Sequence, residues 1–268
     1  MPELLTRSSK PFVFLRTPVV GRRFIHSPAR SNNSSTFKFQ HVDKQIKYIL
    51  TDIEGTTSSV HFVYDVLFPY FKEHIQLLTQ HAQINEVKQA FAEVIELAAQ
   101  EDGEHLTTTE EVLEYLLKWA NEDRKITPLK ALQGIIWKNA YETGAIKGHV
   151  YDDVPTALNQ WRTQGLKVGV FSSGSIAAQK LLFRYSDFGD ISTHFSNHFD
   201  TTTGSKRDAA TYLKIVQFLG IEAEQILFLS DIVEELEAAQ QAGLQTIQLL
   251  REQTKPDWPN TARHFLEI

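Results

Sequence analysis

No cysteine occurs anywhere in the 268 residues, so disulfides, thiolate metal sites and a cysteine nucleophile are all excluded. Long apolar runs are missing too. Nothing approaches the roughly 18 residues that a membrane-crossing helix requires, so no membrane partner is expected. Outside the first stretch, basic charge is outweighed. Residues 1–46 carry eight Lys or Arg against Glu3 and Asp43, a net of +6, while the whole chain is −6, which leaves −12 on the remainder. An acidic body lacks the surface that phosphate backbones need, so no nucleic-acid partner is expected either.

Residues 1–45 are rich in Ser, Asn, Pro and Arg and show no period of two or 3.6, so they are expected to form a basic head without regular structure. Arg16 and Arg22-Arg23 interrupt any apolar stretch there, which rules out a secretory signal. The same composition fits an organelle transit peptide or a dispensable extension. The expectation is a cytoplasmic monomer, with a targeting role for the head left open.

After the head, short apolar runs alternate with longer helical patterns, the signature of a parallel α/β sheet. Buried strands are expected at Tyr48-Ile49-Leu50, Val168–Phe171, Ile226–Leu229 and Thr246–Leu250. Helices between them are expected to end at Gly165, Gly220 and Gly243, because a left-handed cap just past the last helical residue favours glycine. Residues 65–148 break the rhythm with helix after helix. Val87, Ala90, Phe91, Val94 and Ile95 share one helical face, Thr108 and Glu111 form a capping box, and Thr127-Pro128 opens a further helix. The expected architecture is therefore a Rossmann-like core, 46–64 plus 149–268, with an inserted all-helical cap at 65–148.

Polar clusters end the strands, and in an open α/β sheet such ends converge on one crevice. Strand one ends in Asp52-Ile53-Glu54-Gly55-Thr56-Thr57, and the next in Ser172-Ser173-Gly174-Ser175. Lys206 and Asp231 follow later. Singly, each reads as a cap, a turn or a solvated side chain. Together they form a complete set for hydrolysing a small phosphorylated substrate. Asp52 is the nucleophile, and Asp52 and Asp231 suit one magnesium ion through oxygen ligands. Ser172, Ser173 and the amides opening the next helix hold phosphate oxygens, and Lys206 adds positive charge. Glu54 protonates the leaving oxygen and later activates water.

This order of motifs resembles the haloacid dehalogenase superfamily. Within it, Asp-Ile-Glu-Gly-Thr-Thr at 52–57 is similar to the enolase-phosphatase (acireductone synthase) family, where glutamate replaces the usual aspartate at position 54. Leu67–Tyr70, Asp123-Arg124-Lys125, Leu132-Gln133-Gly134 with Trp137, Ala178–Phe183 and Phe228–Asp231 match as well. The resemblance implies that Asp52, Glu54 (through its carbonyl) and Asp231 contact magnesium, and that Glu235 supports that site from behind. It also implies that Ser172, Ser173 and Lys206 contact substrate. The implied reaction enolises and dephosphorylates 2,3-diketo-5-methylthiopentyl-1-phosphate in methionine salvage. Rival readings are a phosphatase for another small phosphate and a binding module that has lost turnover.

Arg251-Glu252-Gln253 departs from the family's arginine, proline, glycine, which puts that loop in doubt. His194 and His198 have zinc-ligand spacing only if helical, and are expected to be ordinary polar residues. His61 is expected to make a local hydrogen bond, with a substrate contact as the alternative.

Overall fold

Tyr48-Ile49-Leu50-Thr51 is buried at every position, as a strand covered on both faces must be, and forms β1 (Tyr48–Thr51). In this computed structural model, residues 45–252 and 254–268 are described. They fall within a compact unit running from 39 to 268. Expectations for residues 1–44 of the head lie outside the described residues. No helix among the described residues is long and apolar enough to cross a membrane.

Between β1 and the next strand the chain is helical. A π-helical segment (Phe62–Leu67) runs into α1 (Phe68–His74), followed by α2 (Leu77–Gln80), α3 (Asn85–Glu101), α4 (Thr109–Asn121), α5 (Thr127–Thr143) and α6 (Asp153–Thr163). The Thr108–Glu111 capping box opens α4, and Pro128 opens α5. Helices α1 to α5 bury a core of their own around Phe71, Val94, Leu116, Trp119 and Leu132, whereas α6 packs Val154, Leu158 and Trp161 against the sheet. Ile95 does not join it. It is 37% exposed, because the buried stripe of α3 runs through Val87, Ala90, Phe91, Val94 and Ala98.

The rest alternates: β2 (Lys167–Phe171), α7 (Ile176–Arg184), β3 (Phe195–Phe199), α8 (Ala209–Leu219), β4 (Ile226–Ser230), α9 (Val233–Gln241), β5 (Gln245–Leu249) and β6 (Thr261–Ala262). All six strands are parallel, in the order β3-β2-β1-β4-β5-β6. Successive residues of a strand face opposite ways. Ile49, Val168, Val170, Leu227 and Leu229 therefore pack on one face of the sheet, and Tyr48, Leu50, Phe171 and Phe228 on the other. Gly165, Gly220 and Gly243 have the positive φ expected past α6, α8 and α9.

Two strands were not expected from sequence. In β3, Phe-Ser-Asn-His-Phe keeps only its end residues fully buried, so an edge strand with a polar middle lacks an apolar run. β6 has two residues and exists only through its pairing with β5. His198 lies in β3 and His194 in the 3-10 turn before it, so the two histidines share no helix face. His198 Nδ1 lies 3.0 Å from Gln179 Oε1.

Candidate active site

The amide of Asp52 donates to Leu229 O at 2.9 Å, extending the β1–β4 pairing by one residue. The chain then turns sharply. Amides of Thr56, Thr57 and Ser58 donate to Ile53 O at 3.2, 2.9 and 2.8 Å, and Thr57 Oγ1 donates to Asp52 O at 2.6 Å. Gly55 makes the turn at φ +75°, and a Cβ there would collide with the Asp231 carboxylate. Glycine thus lets the loops after β1 and β4 close on each other.

Asp52 is 3% exposed. Lys206, between β3 and α8, places Nζ 2.5 Å from Asp52 Oδ1 and 2.6 Å from Glu235 Oε2. Lys206 is the one polar group against Asp52 Oδ1 among the described residues. Glu235 also accepts from Ser230 Oγ at 2.8 Å. Burial opposes the charge on Lys206, but the two carboxylates outweigh it and raise its pKa.

Both aspartates are short of positive charge. Burial pushes Asp52 well above the usual carboxylate range, Lys206 pulls it down, and Glu235 and Glu54 push it up again. Asp231 is pushed up to about 6, by burial first and then by repulsion from Glu235 and Glu54. Its Oδ1 is buried without a partner. Two buried carboxylates, one with an unpartnered oxygen and the other met only by Lys206, fit a hard divalent cation. Among the described residues no three His, Asp or Glu side chains gather as a metal-holding group. Further ligands would be backbone oxygen, water and phosphate, an arrangement usual for magnesium.

Ser172 follows β2 and is fully buried. Its hydroxyl donates to Glu54 Oε2 at 2.9 Å and accepts from the Gly174 amide at 3.0 Å, which fixes the Glu54 carboxylate. Ser173 differs: its side chain is exposed, and its carbonyl accepts from Lys130 Nζ at 3.2 Å. Some amides expected to serve phosphate at the start of α7 are already engaged. Ile176 N donates to Asp200 Oδ2 at 3.1 Å, and Ala178 N to Ser175 Oγ at 3.3 Å. Gln179 Nε2 adds bonds to Gly174 O at 2.9 Å and Phe199 O at 2.8 Å. Asp200 and Gln179 hold this loop, and neither was picked out as a site residue from sequence. The signal for Asp200 was its place at the end of β3, a strand that the apolar pattern did not show.

Beside this polar cluster lies a mostly apolar cleft. Glu54, Ser172 and Ser173 line it from the sheet side, and Leu67, Phe68, Leu129 and Trp137 from the helical side. Lys130 and Gln133 of α5 also line it, and neither was picked out as a site residue. The available signal was a polar residue on a helix face that is otherwise apolar. His61 is exposed, with Nδ1 3.2 Å from Asp65 Oδ2 and Nε2 3.6 Å from Glu252 Oε2.

The Arg251 loop anchors the turn after β1. Arg251 NH1 and NH2 each donate to Asp153 at 2.8 Å, and its Nε donates to Thr56 O at 3.1 Å. Glu252, at φ +48°, accepts from Tyr151 OH at 3.0 Å and from Ser59 Oγ.

The family model described as haloacid dehalogenase-like hydrolase matches residues 46–243. Enolase-phosphatase E1 of Pseudomonas aeruginosa is 50% identical over 224 residues, covering 83% of this chain and 98% of its own length. Enolase-phosphatase E1 of Azotobacter vinelandii is 48% identical over 224 residues, covering 83% and 97%. The solved structure of the UTR4 protein (Unknown transcript 4 protein) of Saccharomyces cerevisiae superposes with a TM-score of 0.68 at 30% identity, covering 84% of this chain and all of that one.

Proposed function

This chain belongs to the haloacid dehalogenase-like hydrolases and, among them, to the enolase-phosphatases, and from that premise we propose that it converts 2,3-diketo-5-methylthiopentyl-1-phosphate to acireductone and phosphate in methionine salvage. The observation that carries the reading is the meeting of Asp52, Lys206 and Glu235 at the ends of β1 and β4, with Glu54 held by Ser172 on the wall of the adjoining cleft.

In this reading Asp52 attacks phosphorus, the bond to the ester oxygen breaks, and water then hydrolyses the aspartyl-phosphate. Glu54 gives a proton to the leaving oxygen and takes one from the attacking water. Lys206 balances charge on the phosphoryl oxygens and is itself held by Glu235. Ser172 and Ser173 take the remaining phosphate oxygens. Asp52, Asp231 and the Glu54 carbonyl would hold magnesium, which when bound neutralises the repulsion between carboxylate and phosphate. We read residues 65–148 as a cap, on the strength of their separate hydrophobic core and their share of the cleft wall.

The test is incubation of the purified chain and magnesium with the diketo phosphate, following ultraviolet absorbance and phosphate release together. The expected result is an absorbance rise from the enol followed by stoichiometric phosphate. Phosphate release without any enol signal would favour another small phosphate monoester as substrate.

A further inference from the structure

The half-reaction left without partners is enolisation. When the proton leaves the carbon that bears the phosphate, its electron pair forms the C=C bond and the neighbouring carbonyl becomes an enolate. That oxygen needs a donor, and so does the carbonyl beside it. Asp52, Lys206 and Glu235 are engaged with one another, and Ser172 is engaged with Glu54. The other side of the cleft supplies what is missing.

Lys130 and Gln133 are three residues apart on α5, hence on one helix face, and both line the cleft shared with Glu54, Ser172 and Ser173. Gln133 is 7% exposed, yet its amide makes no hydrogen bond to any described residue. The amide is not among the buried unpaired groups, so it opens on the cleft, where its donor and acceptor are free to meet a ligand. Lys130 Nζ donates to Ser173 O at 3.2 Å and Thr201 Oγ1 at 3.4 Å. An ammonium has three protons, so one remains, and no carboxylate among the described residues pairs with it.

We propose that Lys130 and Gln133 form a carbonyl-recognition pair that holds the two adjacent oxygens of the diketone and stabilises the enolate as it forms. The charge state of Lys130 agrees with this role. Burial and then Lys125 lower the pKa of Lys130, with Asp200 opposing, and a more acidic ammonium is a stronger hydrogen-bond donor. The inference rests on the enolase-phosphatase reading and concerns only how that substrate is recognised.

The test compares Lys130→Met, Gln133→Leu and wild type as full chains with magnesium. It measures kcat and KM for enol formation, and inhibition by inorganic phosphate, which has no carbonyl. Enol formation should fall about 100-fold in kcat for Lys130→Met, as for loss of an oxyanion donor. It should fall about tenfold in Gln133→Leu, as for loss of a neutral hydrogen bond. Phosphate inhibition should be unchanged in both. If Lys130→Met melts early, Lys130→Gln keeps a donor for Ser173 while removing the charge. Enol formation at the wild-type rate in both variants overturns the pair, and so does an equal loss of phosphate affinity, which would mean a general anion or packing role. If the wild type itself forms no enol, the enolase-phosphatase reading fails and takes the pair with it. Wild-type enol formation with unaffected variants refutes the pair alone.

Discussion

The Lys206 ammonium lies between two carboxylates, 2.5 Å from Asp52 Oδ1 and 2.6 Å from Glu235 Oε2. Its position is therefore set from behind as well as from the front. Glu235→Gln removes the rear charge and leaves the buried Lys206 paired with Asp52 alone. The pair should tighten, and Lys206 should be less available to phosphate. The expected outcome is a drop of about tenfold in kcat/KM for phosphate release, carried mainly by KM. An unchanged KM would mean that Glu235 does not position Lys206.

Asp52→Asn should abolish phosphate release while leaving the fold intact. The amide cannot form an acyl-phosphate, and the loop geometry around Asp52 depends on its backbone, through Leu229 O and Thr57 Oγ1, rather than on its carboxylate. A loss of at least about 1,000-fold is expected, with an unchanged melting temperature. Retention of a tenth of wild-type turnover would place the nucleophile elsewhere.

Much of this site was legible in the sequence because parallel strands buried on both faces leave unbroken apolar runs, and their polar ends stand out against them. Asp52, Ser172 and Asp231 were picked out as candidates in that way, and Lys206 by its place in the order of motifs. β3 escaped for the opposite reason: Ser196, Asn197 and His198 fill an edge strand that carries no apolar run. With it went Asp200, which holds the first amide of α7. Lys130 and Gln133 escaped because period alone says which face of α5 is buried, not that the burial is against a cleft. The Arg251 loop looked doubtful because neighbouring residues depart from the family pattern. Its role shows only in three dimensions, where Arg251 meets Asp153 and Thr56 from far along the chain.

Removing the metal should remove turnover. Exhaustive chelation is expected to stop phosphate release, and added magnesium to restore it, because Asp52 and Asp231 are buried carboxylates and Asp231 Oδ1 has no partner. Calcium should bind and inhibit, since it takes more ligands at longer distances and favours both oxygens of one carboxylate. Full activity in chelator would sink the metal assignment.

The Arg251–Asp153 pair should show in acid. Burial alone would raise Asp153, but hydrogen bonds from the Arg251 guanidinium and the Phe265 amide outweigh it and hold the carboxyl below its ordinary value of 3.8. With the folded value below the unfolded one, the pair's contribution is complete above about pH 4 and is lost as the pH falls through the folded value. Arg251→Met leaves Asp153 buried without its cation and should destabilise the chain by about 3 kcal/mol at neutral pH. The loss should narrow below pH 4, where wild type surrenders the same interaction. Denaturant melts at several pH values check both parts, and a loss independent of pH would assign the effect to packing.

In the proposed reaction Glu54 is the group on which both half-reactions turn. Its carboxylate accepts the Ser172 hydroxyl at 2.9 Å and lines the cleft, two residues along from Asp52. A carboxylate so placed is the candidate to serve both the ester oxygen and the carbon beside it. Phosphoryl transfer needs a proton for the leaving oxygen, and enolisation needs one removed from carbon. Glu54→Gln keeps the size and the bond to Ser172 but cannot accept a proton, so it should lose about 100-fold or more in both steps. Glu54→Asp keeps the charge but draws it back by one methylene. It should spare dephosphorylation, as in the aspartate of related phosphatases, more than enolisation. Absorbance and coupled phosphate assays on the same sample separate the steps. Wild-type enol formation in Glu54→Gln would move the base off Glu54 while leaving Asp52 as nucleophile untouched.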